Sequence, residues 1–194
     1  RFTGSSSYGG EYPTFDTLES ITYIASTDFA FAALSSSGKV VSWRYSSISY
    51  DNYLAGIQSG VTRLFSNRYA FVALRSDSSL WCWGSSSSCG YSSNPVFSGA
   101  TYVASTSYAF AALMDDGSVI AFGSYSQGGS TSYNGNPLDV ASGVVNIFGG
   151  DDVFAALKDN GQVVTWGASS YGGVTTSVDS MISSLCTDVK STYY

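Results

Sequence analysis

The chain has 194 residues, of which 44% are apolar and only 11% charged, with a formal net charge of −6. That length bounds one ordinary domain or one array of small repeated units, and Ser, Thr, Gly and Tyr stand where most soluble chains carry charge. Histidine is absent, which excludes Ser-His-Asp and Cys-His catalysis and every His-containing metal site; no Lys/Arg cluster suits a nucleic-acid backbone, and no apolar run reaches the length of a membrane span.

The first predicted element is a half unit over residues 1–17. Phe2 to Gly10 reads FTGSSSYGG and matches TWGASSYGG at Thr165 to Gly173. A chain starting at Arg1, with neither Met nor a signal-like segment, is expected to be a processed mature chain or an internal fragment. Four repeats follow, over 18–56, 57–96, 97–140 and 141–182, and a second half unit covers 183–194. The anchor of each repeat is the Leu of Phe-x-Ala-Leu: Leu34, Leu74, Leu113 and Leu157, spaced 40, 39 and 44 residues apart. Ile24, Leu64, Val103 and Ile147 stand ten residues before each anchor. Ile21, Val61, Ala100 and Val144 stand three residues earlier. Gly38, Ser78, Gly117 and Gly161 follow each anchor by four, and Trp43, Trp83, Phe122 and Trp166 follow it by nine. A Gly follows in three copies (Gly84, Gly123 and Gly167), with Arg44 in the first, and these six aligned columns mark an internal repeat.

Within each repeat the period is that of strands. A V-x-x-I strand is followed by Phe-x-Ala-Leu, then by a turn such as Lys158-Asp159-Asn160-Gly161, then by a strand ending in Trp-Gly. The turn needs positive φ at its tip, which Gly accepts without steric cost. Weaker fourth strands are expected near Leu54 to Ile57, Asn94 to Phe97 and Leu138 to Val140. Four short strands in about forty residues is the proportion of a β-propeller blade. The Phe, Leu and Trp columns are then inter-blade core. The pairs Ala32-Ala33, Ala111-Ala112 and Ala155-Ala156 let neighbouring sheets approach closely. The fold expected is all-β, an arc of four blades and two half blades that stays open or is completed between molecules.

Candidate sites are few. Cys82 and Cys89 flank WGSSSS and form either a local disulfide, in an oxidising compartment, or two separate thiols; Cys186 has no obvious mate. Asp115-Asp116-Gly117 and Asp159-Asn160-Gly161 read as hairpin turns, because a calcium loop needs about six or seven oxygen ligands over a longer stretch. Gly149-Gly150-Asp151-Asp152 stands where the other copies have Ser-Thr-Asp, Ser-Asn-Arg and Ser-Thr-Ser, and reads as a loop. Ser85, Ser86, Ser87 and Ser88 form a polar loop, plain or O-glycosylated; there is no Asn-x-Ser/Thr sequon for N-linked glycans. No catalytic, cofactor or metal residue can be assigned.

The columns V-x-x-I, Phe-Ala-Ala-Leu, Asp-Gly and Val-x-Trp-Gly resemble the repeat of the RCC1 family, which includes the β-lactamase inhibitory proteins of the same fold. The resemblance covers essentially the whole chain and implies propeller blades, usually seven in a closed ring. It also implies binding of protein partners, in the inhibitors through loop aromatics. The loop tyrosines here are Tyr45, Tyr50, Tyr53, Tyr91, Tyr125, Tyr133 and Tyr171, and no motif matches them singly to the family.

An open arc leaves apolar sheet faces and strand edges bare at both ends, and such surfaces are templates for association. Two readings follow. In the first, the chain is a non-enzymatic extracellular structural protein that polymerises head to tail, with sugar-bearing loops. Copies of itself are then its partners, through ends that include Phe2, Thr3, Leu185, Val189, Tyr193 and Tyr194. In the second, it is a fragment of a closed propeller that binds a protein through its tyrosine-rich loops.

Overall fold

The computed structural model describes residues 20–44, 59–89, 97–133 and 136–173. Four three-stranded antiparallel sheets follow one another along the chain, each in the order first–second–third strand. Blade 1 consists of β1 (Ile21–Ser26), β2 (Ala30–Ser35) and β3 (Val40–Arg44). Blade 2 consists of β4 (Val61–Ser66), β5 (Ala70–Arg75) and β6 (Leu80–Gly84), followed by the short helix α1 (Ser86–Cys89). Blade 3 is β7 (Ala100–Ser105), β8 (Ala109–Met114) and β9 (Val119–Gly123). A small hairpin comes next, β10 (Ser132–Tyr133) paired with β11 (Asn136–Pro137), in the stretch where the third repeat is longer than the others. Blade 4 is β12 (Val144–Gly149), β13 (Val153–Lys158) and β14 (Val163–Gly167).

Each strand forms where the repeat columns place it, and each blade carries the same two local devices. The hairpin between second and third strands closes with Gly38 N–H on Ser35 O at 3.0 Å, and with its counterparts Ser78 on Arg75, Gly117 on Met114 and Gly161 on Lys158. Only the last residue of each tip has positive φ, 80° at Gly38 and 61° at Ser78. This is the three-residue loop with a left-handed third position. The second device is a bulge in the first strand, where the register shifts between Ile21 and Tyr23, Val61 and Arg63, Ala100 and Tyr102, and Val144 and Asn146. The extra residue is Thr22, Thr62 or Thr101. Its hydroxyl donates to the carbonyl of the anchor leucine, at 3.2 Å to Leu34, 3.1 Å to Leu74 and 3.1 Å to Leu113. A bulge leaves its extra residue out of the ladder, and the threonine hydroxyl supplies the missing donor. Blade 4 has Val145 at this position.

The expected fourth strand of the third repeat requires correction. Leu54 to Ile57 and residues 94–96 lie outside the described residues, and Leu138 to Val140 is not a strand. Val119 N–H donates to Val140 O at 2.9 Å, and Leu80 N–H donates to Phe97 O at 3.0 Å. The Val140 N–H, however, turns back onto Leu138 O at 2.8 Å. That tight local turn takes the backbone out of the extended form a second ladder bond would need.

The cores lie between blades. One cluster joins Ala30, Ala32, Leu34 and Val40 of blade 1 to Val61, Leu64, Phe71, Ala73 and Trp83 of blade 2. The next two clusters repeat this between blades 2 and 3 and between blades 3 and 4. Strand side chains alternate between faces, so the alanine pair divides, with Ala32 on the trailing face of its blade and Ala73, from the next column, on the leading face. The first strands lie side by side, β1 against β4, β4 against β7, and β7 against β12. Backbone bonds stitch each junction: Val61 N–H to Gly38 O at 3.0 Å, Ala100 N–H to Ser78 O at 3.0 Å and Val144 N–H to Gly117 O at 2.9 Å. The described sheets form an open array of blades and do not close into a ring.

Candidate functional site

Every internal junction has a knob, and the junctions of blades 2 and 3 and of blades 3 and 4 also show a seat among the described residues. The knob is an aromatic pair on the leading face, formed by the first residue of Phe-x-Ala-Leu and the aromatic opposite it. Phe71 stacks on Trp83 at 5.3 Å, Phe110 on Phe122 at 5.6 Å and Phe154 on Trp166 at 5.2 Å. The seat is the loop that leaves the third strand of the preceding blade. In blade 3 it runs from Ser124 to Gly129, with a 3₁₀ turn at Tyr125–Gln127 and Gly128 at φ 94°. Trp166 Nε1–H donates to Gly128 O at 3.0 Å. A Cβ on Gly128 would lie 2.6 Å from Phe154 Cδ2, so a glycine is needed both for the left-handed turn and for the ring's approach.

In blade 2 the same seat is Ser85 to Cys89. Cys89 occupies the column of Gly128 and is bonded to Cys82, and both sulfurs belong to the cluster that holds Phe110 and Phe122. The disulfide thus braces a seat. The serines expected to carry glycans divide here: Ser85 and Ser88 are buried, while Ser86 and Ser87 are exposed. Cys186, Phe2, Thr3, Leu185, Val189, Tyr193 and Tyr194 lie outside the described residues, as do Tyr45, Tyr50, Tyr53 and Tyr91. Tyr125 and Tyr171 are exposed on the seat loops of blades 3 and 4.

The two end faces differ from the internal ones. On the leading face of blade 1, Ile21 is 44% and Ile24 49% exposed, whereas the same columns in the other blades (Val61, Leu64, Ala100, Val103, Val144, Ile147) are at most 5% exposed. Phe31 is half-buried where Phe71, Phe110 and Phe154 are buried. On the trailing face of blade 4, Val153 and Ala155 are half-buried where Ala30, Ala70, Ala109, Ala32, Val72 and Ala111 are buried, while Leu157 and Val163 on the same face are buried. These columns were legible as core; that they mark an end face appears only from comparing blades.

A second surface lies at the ends of the first strands. Ser26-Thr27-Asp28, Ser66-Asn67-Arg68, Ser105-Thr106-Ser107 and Gly150-Asp151 line one polar hollow of about 290 Å³. Arg68 Nε–H donates to Asp28 Oδ2 at 3.0 Å. Asp28 N–H donates to Arg68 O at 2.9 Å, and Ser107 N–H to Asp151 O at 2.7 Å. The Ser107 hydroxyl also donates to the Asp151 carboxylate. Beside the hollow, Phe29, Tyr69 and Tyr108 form a ladder across three blades, with centroids 6.1 and 5.1 Å apart. Asp152 holds the same column in blade 4. Burial, and then the Asp151 charge, push its carboxyl above the usual carboxylate range, and its Oδ1 is buried without a hydrogen-bond partner.

The turn acids are held as turn residues. Asp116 Oδ1 accepts from Ser118 N–H at 2.9 Å and from its hydroxyl at 2.6 Å, and these bonds hold the Asp116 carboxyl below its ordinary value. Asn160 Oδ1 accepts from Gln162 N–H at 2.9 Å. Among the described residues no three acids, cysteines or histidines cluster as metal ligands would, and no helix is long and apolar enough to cross a membrane.

No family model matches the sequence, and no curated protein matches it either. Solved propellers do match in structure. Prp20p from Saccharomyces cerevisiae, whose structure was determined together with its binding to Gsp1p and histones, is 16% identical with a TM-score of 0.56 over 80% of this chain and 47% of its own. Human WBSCR16 is 17% identical with a TM-score of 0.54, over 80% and 50%. The CRINKLY WD40 ectodomain of the Arabidopsis thaliana receptor kinase ACR4 is 20% identical with a TM-score of 0.52, over 80% and 53%. The chain therefore spans about half the length of these structures. Such identities establish the fold, which is that of RCC1-like β-propeller blades.

Proposed function

We propose that this chain is a non-enzymatic structural protein whose blades stack head to tail with copies of itself. One observation carries the reading: the columns that are at most 5% exposed at every internal junction are 44% and 49% exposed at Ile21 and Ile24 on the leading face of blade 1. Burying an exposed isoleucine contributes about 1.5–3 kcal/mol, so the leading face of blade 1 favours another blade. A contact between unlike faces of identical chains is heterologous, and gives rings if it closes and filaments if it does not. An extracellular setting is part of the proposal. It is supported by the Cys82–Cys89 disulfide, which suits an oxidising compartment, and by a chain of which only 11% is charged. Ser86 and Ser87 remain as candidates for O-linked sugars. Electron micrographs of the concentrated chain test the reading: fibres or rings of stacked blades support it, and single particles at all concentrations contradict it.

A second reading is favoured by the polar hollow at the ends of the first strands. Prp20p binds Gsp1p and histones and has been crystallised with Kap60, so propellers of this kind take protein partners. On this reading the hollow and the exposed Tyr125 and Tyr171 present a binding face, and Arg68→Ala abolishes partner capture while leaving assembly untouched.

A further inference from the structure

We infer that the polar hollow at the ends of the first strands is a binding site for one neutral sugar ring; this goes beyond both readings above and needs neither stacking nor a protein partner. Two clamped pairs bound the hollow. On one flank Asp28 and Arg68 tie blade 1 to blade 2, through Arg68 Nε–H on Asp28 Oδ2 and Asp28 N–H on Arg68 O. On the other, Ser107 ties blade 3 to Asp151 of blade 4 through its N–H and its hydroxyl. These bonds fix both flanks in advance, so little ordering is left to oppose binding. Asn67 lies between them, at the start of a turn that blades 1, 2 and 3 each cap with a side chain. Thr27 Oγ1 accepts from Phe29 N–H at 3.2 Å, and Thr106 Oγ1 from Ala109 N–H at 3.0 Å. In blade 2, Asn67 Oδ1 accepts from Tyr69 N–H at 2.9 Å and from Ala70 N–H at 2.8 Å. A threonine hydroxyl suffices for this turn in two blades, so the amide nitrogen of Asn67 is surplus to it. Asn67 is 8% exposed and lines the hollow, and its Nδ2 is buried with no hydrogen-bond partner. A buried donor left unmade is costly, and an oxygen seated on the floor of the hollow supplies the acceptor.

The chemistry of the occupant follows from what the walls offer. Asn67 Nδ2 and the terminal N–H groups of Arg68 donate. Asp28 Oδ1 and Asp151 Oδ2, which carry no bond among the described residues, accept. A cation would serve the carboxylates and leave the Asn67 donor unmet. An anion would face two carboxylates against one guanidinium. A hydroxyl both donates and accepts, and several on one ring reach several walls at once. At about 290 Å³ the hollow stands at the small end of ligand sites, which suits one ring. Phe29, Tyr69 and Tyr108 directly follow Asp28, Arg68 and Ser107 and form the ladder beside the hollow. They give the C–H face of a sugar an aromatic edge to pack on.

The test titrates the full chain, followed by amide NMR, with the methyl glycosides of mannose, galactose and N-acetylglucosamine. At least one should shift the amides of Asp28, Asn67, Ser107 and Asp151, with a Kd of about 1 mM, the affinity open to a ligand of about 13 non-hydrogen atoms. Asn67→Thr keeps the turn as blades 1 and 3 make it and removes only the amide. Asp151→Asn keeps an acceptor for Ser107 and removes the charge. Each should weaken binding at least about tenfold while melting as the parent does, and Asp151→Asn, at an exposed residue, carries the test alone if Asn67→Thr fails to fold. Agarose bearing the same sugar separates two sources: retention that the methyl glycoside reverses identifies a glycan chain end, and binding of the glycoside without retention identifies a free sugar. Three results overturn the inference. The first is no shift at these residues with any of the three glycosides at about 50 mM. The second is binding that neither substitution weakens, which places the sugar elsewhere. The third is a shift produced by N-acetylarginine amide and by no glycoside, which assigns the hollow to a basic protein partner.

Discussion

Ile24 and Ile147 occupy the same column of the repeat, in β1 and β12, and give a matched pair. Ile147 is 2% exposed in the junction of blades 3 and 4, and Ile24 is 49% exposed. Ile147→Ala removes three buried carbons and leaves a cavity, which costs about 2–5 kcal/mol. Ile24→Ala removes the same carbons from a half-exposed site. At about 0.8 kcal/mol per buried methylene the full transfer loss of about 2.4 kcal/mol is halved to about 1.2 kcal/mol, with no cavity to add. In the dilute monomer the two substitutions should therefore differ by about 1–4 kcal/mol. Urea unfolding followed by tryptophan fluorescence, at concentrations too low for association, measures both. In associated material the gap should close, because Ile24 then lies in a junction like that of Ile147. Equal losses in the dilute monomer would refute the reasoning, since Ile24 would already be covered.

Other substitutions probe the junctions and the bulges. Gly149 takes the place of Ser26, Ser66 and Ser105 in its column, and a Cβ there would run into the Ser105 carbonyl oxygen of the preceding blade; Gly149→Ser, although it restores the repeat, should cost about 3 kcal/mol by thermal melting. Val145→Thr should gain about 1 kcal/mol by adding the bulge hydroxyl that blades 1 to 3 possess, and Thr62→Val should lose about as much in the same melts. Cys89→Ser opens a loop closed over a separation of 7 and should cost about 2.5 kcal/mol, a loss that reduction of the parent chain reproduces. Asp152 has a folded-state value raised by burial, so its ionised form opposes folding at neutral pH and the penalty fades as pH falls through that value. Asp152→Asn should be the more stable form at pH 7, with the two converging below about pH 4 when unfolding is followed against pH.

The strands were legible because their signals are local. The alternation in Phe-x-Ala-Leu and the positive-φ turn at Gly161 need nothing from the rest of the fold. The fourth strand was misplaced because Leu138 to Val140 has the right residue types, and only the turn of Val140 N–H onto Leu138 O shows that the ladder stops after one bond. The threonines at 22, 62 and 101 share a column, but its meaning depends on a register shift. Ser85 to Ser88 read as an open polar loop, since nothing local reveals that Cys89 stands in the column of Gly128 and that an aromatic pair from 21 residues onward, at Phe110, covers the loop. Alternation predicts two apolar faces per blade but does not say which face meets which, so the knob and seat required the packing. The polar hollow likewise joins residues from Ser26 to Asp151, which only the stacking of first strands brings together.

Sedimentation velocity on the full chain across a hundredfold range of concentration bears most directly on head-to-tail stacking. The average mass should start near 20.4 kDa when dilute and climb steadily without stopping at a dimer, as open-ended addition requires unless a ring closes at one fixed multiple. A single boundary at the mass of one chain through the highest concentration would show that the exposed faces of blades 1 and 4 do not recognise each other.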